Sequence, residues 1–168
     1  MGRNGGRIRH GLQTAEDWTF PSIFCFGGPG RTDILQCDAA AMISPAMFRD
    51  LELPQIRQHC RAMDHTMFHL DGIECVDKLD DLLAIEELDA IEWSPDPKSG
   101  DSADPRWHEL YRRFLRAGKS LQIINLKIEH LAPLLDATGT DGVYLLVEFD
   151  TTETAEELAR IIAHYRRS

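Results

Sequence analysis

The stretch Thr66-Met-Phe-His-Leu70 is an apolar run that ends on the polar turn Asp71-Gly72, and this arrangement indicates the fold. Each of four further apolar runs is followed by polar residues in the same way. These runs are Ile34-Leu-Gln-Cys37, Leu88-Asp-Ala-Ile-Glu-Trp93, Leu121-Gln-Ile-Ile-Asn-Leu126 and Val143-Tyr-Leu-Leu-Val147. A segment whose apolar residues have helical spacing follows each run. Alternating strands and helices predict an α/β fold whose parallel strands are joined by right-handed crossovers.

Residues that begin or end helices support the helical segments. Ser44 is a good N-cap, and Pro45 suits the first helical position, where its missing N–H costs nothing. Gly118 is placed to end a helix over about residues 105–117. Two architectures repeat such strand–helix units, an open doubly wound sheet and a (β/α)8 barrel. The spacing of the runs does not choose between them.

Composition and charge narrow the class of protein. The chain has 168 residues with 43% hydrophobic residues, which is typical of a globular domain, and a net charge of -10, which argues against nucleic-acid binding. No apolar run approaches the ~20 residues that cross a bilayer, so no membrane partner is expected. The four cysteines form no CxxC pair and no secretion signal is present, which favours reduced thiols and a cytoplasmic location. Residues 1–20 are glycine-rich and basic and are expected to form a flexible tail, with a single α/β domain over residues 21–168.

Candidate functional residues follow the predicted strands, because parallel α/β proteins bind ligands at the carboxyl ends of their strands. The residues at these ends are Asp38, His69, Asp71, Trp93, Asn125, Lys127, Glu148 and Asp150. If the ends converge, one cleft contains several carboxylates, an imidazole, an indole and a lysine.

The pair His69 and Asp71 is the sharpest of these candidates. Residues two apart at the end of a strand point the same way, so an imidazole and a carboxylate lie side by side. Such a pair binds a divalent metal or acts as an acid–base couple; the alternative is a structural histidine, with Asp71 capping the next helix. Asp38 is a candidate substrate contact or a helix cap. Trp93 is a candidate wall for a planar ligand or a core side chain.

Several ordered motifs resemble one known family. They are Leu35-Gln-Cys-Asp38, Met42-Ile-Ser-Pro-Ala-Met-Phe48, Phe68-His-Leu-Asp-Gly72 and Leu88-Asp-Ala-Ile-Glu-Trp93. These segments resemble the carboxyl-terminal half of the uroporphyrinogen decarboxylase superfamily, over roughly residues 30–160. The resemblance implies a partial (β/α)8 barrel of about five βα units with the amino-terminal half missing. It also implies a decarboxylase or a corrinoid-linked methyltransferase.

The resemblance further implies a set of site residues. In the methyltransferase members a His-x-Cys motif supplies two zinc ligands; His69 matches it, and Asp71 stands where the cysteine would be. Glu148 lies near the last strand, where the family has another cysteine. Zinc and a corrinoid partner are therefore implied for a methyltransferase, and no metal for a decarboxylase. A small or tetrapyrrole-like ligand would contact the remaining candidates, which are Asp38, Trp93, Asn125 and Lys127.

A non-catalytic role is the alternative to an enzyme. An incomplete barrel leaves two strand edges unpaired, and unpaired edges invite pairing with another chain. This reasoning predicts a truncated barrel that acts as an oligomerisation or partner-binding module, with a homo-oligomer as the expected state.

Overall fold

The structure is a computed structural model that describes residues 18–19, 27–96 and 98–166. Two short strands near the amino terminus, β1 (Trp18–Thr19) and β2 (Gly28–Pro29), pair antiparallel. The rest of the tail predicted over residues 1–20 lies outside the described residues. Within the described part no helix combines the length and apolarity that crossing a bilayer requires.

A five-stranded parallel sheet forms the centre of the molecule. Its strands are β3 (Thr32–Gln36), β4 (His65–Asp71), β5 (Ala90–Ser94), β6 (Ser120–Lys127) and β7 (Val143–Glu148). They lie in chain order, β3-β4-β5-β6-β7, and every neighbouring pair is parallel. A doubly wound sheet reverses its order at a switch point, whereas a (β/α)8 barrel adds each strand beside the last. The predicted α/β fold is confirmed, and the consecutive order is that of a partial barrel.

The connections contain helices of several types. The α-helices are α1 (Pro45–Met47), α2 (Leu53–Ala62), α3 (Leu79–Leu83), α4 (His108–Arg116), α5 (Ile128–Thr138) and α6 (Thr152–Tyr165). The first connection contains a π-helical turn, Phe48–Glu52, between α1 and α2. Pro54 therefore falls in the first turn of α2, where a proline is tolerated. The Ser44 side chain accepts a hydrogen bond from the Met47 N–H at 3.2 Å, as expected of an N-cap.

The main core lies between the helices and one face of the sheet. Strand side chains at alternate positions enter it, because successive side chains of a strand point to opposite faces. Those from the central strands are Phe68, Leu70, Ile91, Trp93, Leu121 and Ile123, and they meet Phe48, Leu79, Tyr111, Phe114 and Leu134 from the helical connections. The alternate strand residues face away from the helices, on what we call the inner face of the sheet.

Candidate functional site

A row of polar side chains crosses the inner face of the sheet. Each member is the register partner of the next on the adjacent strand. The polar row consists of Gln36, His69, Glu92, Gln122 and Tyr144. Closer to the amino ends of the strands the inner face is apolar, where Met67 and Ala90 are buried and Ile34 packs against them. The polar row therefore lies on an apolar layer and faces the carboxyl ends, where barrel proteins have their sites.

His69 and Glu92 form a hydrogen-bonded pair in this row. Nδ1 of His69 is bonded to Oε2 of Glu92, and the Ser94 hydroxyl donates to Oε1 at 3.1 Å. The Glu92 side chain is 0% exposed and the His69 side chain is 12% exposed. A buried carboxylate is stable only where hydrogen bonds and opposite charge replace its hydration, and His69 and Ser94 provide these contacts.

The electrostatic surroundings of His69 favour its protonated form. Burial lowers the pKa of His69, but the hydrogen bond and the charge of Glu92 raise it. The charges of Asp71 and Asp38 add to this effect, and the net result is a pKa above the ordinary value of 6.5. The imidazole thus keeps its proton to higher pH than a free histidine does.

Two of the predicted site residues lie at the rim above this pair. Asp71 is the last residue of β4 and is exposed, and Asp38 is the exposed first residue of the 3-10 helix Asp38–Ala41. One oxygen of Asp38 accepts a hydrogen bond from the Gln36 side chain at 3.4 Å. The structure therefore brings Asp38, Asp71 and His69 into electrostatic range of one another.

Trp93 occupies a different place from this rim. Its side chain is fully buried on the helix side of the sheet, and its ring centroid lies 5.1 Å from that of Trp107 in an edge-to-face contact. The indole packs in the core, and the residue also lines one wall of a cleft beside β5.

Asn125, Lys127 and Glu148 lie on the far strands of the sheet. Asn125 has a φ of 56° within a register irregularity between β6 and β7, where the chain gains a residue and forms a bulge. Lys127 and Glu148 are exposed register partners. Three strand spacings separate Glu148 from β4, about 14 Å at the usual spacing, so the sheet does not assemble the predicted metal set of His69, Asp71 and Glu148. The described residues include no group of three or more metal-ligating side chains placed to hold an ion.

Glu92 is the site residue that sequence reasoning missed. It lies inside the apolar run 88–93, whose strand-end pattern points only to its last residue, Trp93. The sequence does contain a pattern that places Glu92 on the opposite face of the strand from the core, because Ala90, Glu92 and Ser94 alternate with the apolar Ile91 and Trp93. A carboxylate inside a buried strand requires a partner on an adjacent strand at the same level, and His69 occupies that position.

A small cleft opens beside the polar row, at the carboxyl ends of β5 and β6. Its volume is about 210 Å³. The residues that line it include Trp93, Ser94, Asp101, Ser102, Ile124 and Asn125. Ser94 lines this cleft and also donates a hydrogen bond to Glu92, so this one residue links the cleft with the His69–Glu92 pair.

Comparison with known proteins gives one structural likeness. No family model matches the chain, and no curated protein matches it. A solved structure, the HpcH/HpaI aldolase from Desulfitobacterium hafniense DCB-2, is similar with a TM-score of 0.41 and 13% sequence identity. The match covers 82% of this chain and 64% of the aldolase chain.

The resemblance to the uroporphyrinogen decarboxylase superfamily is wrong. Neither a family model nor a curated protein of the decarboxylase superfamily matches the chain. The short motifs that carried the resemblance are strand ends and helix caps, which many α/β proteins share for reasons of local geometry. The decarboxylase, methyltransferase, tetrapyrrole and corrinoid expectations rested on that resemblance and lose their basis with it.

Proposed function

We propose that this protein is an acid–base catalyst that transfers a proton to or from a small polar molecule at the carboxyl ends of its parallel strands. His69 is the group that transfers the proton, and Glu92 is its positioning residue. The observation that carries this proposal is the hydrogen bond between the fully buried Glu92 carboxylate and Nδ1 of His69.

The chemistry of the pair follows from the roles of its two members. A carboxylate bonded to one ring nitrogen fixes the tautomer and the orientation of the imidazole and stabilises the imidazolium that forms when the ring accepts a proton. General acid–base catalysis is most efficient when the pKa of the catalytic group lies near the working pH. The pKa of His69 is raised above its ordinary value of 6.5, which is in the direction of a working pH near 7.

The rim of the site indicates the charge of its substrate. Asp38 and Asp71 place two carboxylates beside His69, and both raise the pKa of its ring. An anionic substrate would approach against this field, whereas a neutral or cationic molecule would not. A neutral hydroxylated carbonyl compound combines polar contacts with an exchangeable C–H proton and is the substrate type to test first.

Solvent deuterium exchange tests the proposal directly. Proton NMR in D2O follows the loss of the C–H signals of dihydroxyacetone and glyceraldehyde in the presence of the protein. We expect exchange above the buffer rate, reduced by about 10²–10⁴-fold in His69→Ala, because this is the usual contribution of a general acid or base. Asp50→Asn, an exposed carboxylate in the π-helical turn, is the charge-matched control and should exchange like the wild type. Equal exchange in wild type and His69→Ala would contradict the proposal.

A second candidate function is an assembly module. The outer strands of the described five-stranded sheet are β3 and β7, and in the described residues β7 pairs only with β6. Tyr144 in this strand is 48% exposed and Phe149 just beyond it is 57% exposed. Open strand edges with exposed aromatic side chains favour pairing between chains. Light scattering behind a sizing column is expected to show a dimer or larger species, and a stable monomer would count against this candidate.

A further inference from the structure

The cleft beside β5 and β6 has the size of a very small ligand. Its volume is about 210 Å³, which is below the ~300–1,000 Å³ of ordinary ligand pockets. Such a space suits a small molecule rather than a drug-sized ligand. Its position at the carboxyl ends of two adjacent parallel strands is where ligands bind in barrel proteins.

The walls of the cleft are held by hydrogen bonds from buried side chains. Nε1 of Trp107 donates to the Asp101 carbonyl at 3.1 Å, and the Tyr111 hydroxyl donates to the Ser102 carbonyl. The Ser102 hydroxyl donates to the Ile124 carbonyl at 3.3 Å, which ties the loop to β6. Trp107 is 7% exposed and Tyr111 is 0% exposed, so the loop rests on two fixed aromatic side chains. The cleft is therefore preformed, which lowers the entropy cost of binding.

Polar groups from three segments of the chain meet in this cleft. The Asp101 carboxylate accepts the Ala103 N–H through Oδ1 at 2.7 Å, and its Oδ2 lies 3.6 Å from Nδ1 of His130. Asn125 is exposed and adopts a φ of 56° in the bulge of β6. Bulges re-aim side chains at the ends of strands, and asparagine tolerates this backbone conformation better than most residues. Ser94 completes the set with a hydroxyl that donates to Glu92 at 3.1 Å.

The hydrogen-bonding character of the lining selects the ligand. The hydroxyls of Ser94 and Ser102 already donate to protein acceptors, so they offer lone pairs to a ligand. The Asp101 carboxylate also accepts only, and it is the single charged residue among those that line the cleft within the described part. Asp101, Ser94 and Ser102 therefore favour a ligand that donates hydrogen bonds, while the Asn125 amide both donates and accepts. A positive charge on the ligand improves its binding beside Asp101, whereas a negative charge weakens it.

We propose that this cleft binds a small hydroxylated molecule, neutral or cationic, whose hydroxyl or ammonium groups donate to Asp101, Ser94 and Ser102. The inference rests on the proposed acid–base function for its purpose, since Ser94 lines the cleft and also donates a hydrogen bond to Glu92, the partner of His69. Binding itself requires only the cleft. The ligand class thereby defines the substrates on which the His69–Glu92 pair acts.

Three probes of similar size separate the effect of charge from that of shape. Serinol is a cationic amino diol, glycerol is neutral and glycerate is anionic, and neither serinol nor glycerol has a carbonyl that can react by enolisation. Chemical-shift titration of the ¹⁵N-labelled full chain gives their dissociation constants. We expect millimolar binding in the order serinol, glycerol, glycerate, with shifts concentrated in the loop around Asp101 and in the β6 bulge.

Two variants test the named contacts while preserving the backbone. Asp101→Asn keeps the acceptor for the Ala103 N–H and removes the charge, and we expect about tenfold weaker serinol binding with a smaller loss for glycerol. Asn125→Gly retains the left-handed backbone conformation and removes the side-chain amide, and it should weaken the binding of serinol and of glycerol about threefold. Asp50→Asn is the matched control and should bind all three like the wild type.

The outcomes distinguish this inference from the proposed function. Tightest binding of glycerate, no binding of any probe, or equal serinol affinity in wild type and Asp101→Asn would each overturn it. Because binding is read from cleft resonances, it does not depend on turnover. Deuterium exchange that requires His69 without cleft binding would remove only the ligand inference, and cleft binding without such exchange would remove only the catalytic proposal.

Discussion

Replacing one member of the His69–Glu92 pair should destabilise the protein more than replacing both. In His69→Phe the Glu92 carboxylate, which is 0% exposed, loses its hydrogen bond to the imidazole and keeps the one from the Ser94 hydroxyl. Breaking a buried ion pair in this way costs about 3–5 kcal/mol, because an uncompensated charge is left in the interior. For a chain of this length each kcal/mol lowers Tm by about 2–4 °C, so we expect Tm to fall by about 6–20 °C.

The double variant His69→Phe/Glu92→Met provides the decisive comparison. An apolar pair of similar volume removes the buried charge together with its partner, and such replacements are often neutral or stabilising. We therefore expect the double variant to recover most of the loss and to unfold within about 1 kcal/mol of the wild type. Urea unfolding followed by far-ultraviolet circular dichroism gives the free energies, and a double-mutant cycle gives the coupling. If the losses of unfolding free energy in His69→Phe and in Glu92→Met add up to the loss in the double variant, the two residues are not energetically coupled and the reasoning is refuted.

The pH dependence of this coupling has a definite sign. The pKa of folded His69 is raised above 6.5, so the charged pair contributes fully below about that pH and its contribution is lost as pH rises through the folded pKa. The wild type should therefore be most stable relative to the double variant at pH 5.5, and this advantage in unfolding free energy should decline by pH 9. A difference that grows with pH would contradict the raised pKa.

Three further predictions concern other parts of the chain. Asn125→Ala should destabilise the fold by about 1–2 kcal/mol relative to Asn125→Gly in urea unfolding, because alanine is strained at a φ of 56°; equal stabilities would contradict the bulge geometry. Lys119→Met should lower the free energy of unfolding by at least about 1–3 kcal/mol, because the buried ammonium donates to the carbonyls of Ile85 at 2.6 Å and Leu88 at 2.7 Å. An unchanged urea midpoint would exclude that role. Zinc should bind only weakly to His69 and Asp71, since catalytic sites use three protein ligands. In isothermal titration calorimetry the heat of zinc binding should be lost in His69→Ala. Equal heats in wild type and His69→Ala would exclude zinc binding at His69.

The local pattern of the sequence was sufficient to predict the strand–helix alternation. Each apolar run coincides with a strand of the sheet, as the run 66–70 does with β4 (His65–Asp71). The start of a helix was also predictable from neighbouring residues, because the Ser44 side chain caps the helix that begins at Pro45. Two details differed for reasons of packing: the helix expected over residues 105–117 begins as the 3-10 turn Pro105–Trp107, and a π-helical turn lies ahead of Pro54. Both departures occur where a buried aromatic side chain, Trp107 or Phe48, enters the core.

The candidate site was predicted in part, and the division follows sequence distance. His69 and Asp71 are two residues apart on one strand, so the period of the strand placed them together. Glu92 is 23 residues from His69, and only the register between β4 and β5 makes them neighbours. The resemblance adds Glu148 to the set because the resembled family has a ligand near its last strand, but the strand order puts two strands between β4 and β7.

The sequence by itself determined the α/β class, the parallel direction of the strands and the edge of the sheet at which the candidate residues lie. These follow from the period of apolar residues and from turn and cap chemistry, which act over a few residues. The tertiary structure alone decided the consecutive strand order, the pairing of His69 with Glu92 and the burial of Trp93 against Trp107. Strand order and register are set by how whole strand–helix units pack on one another, and no local spacing records which residues of distant units lie at the same level of the sheet.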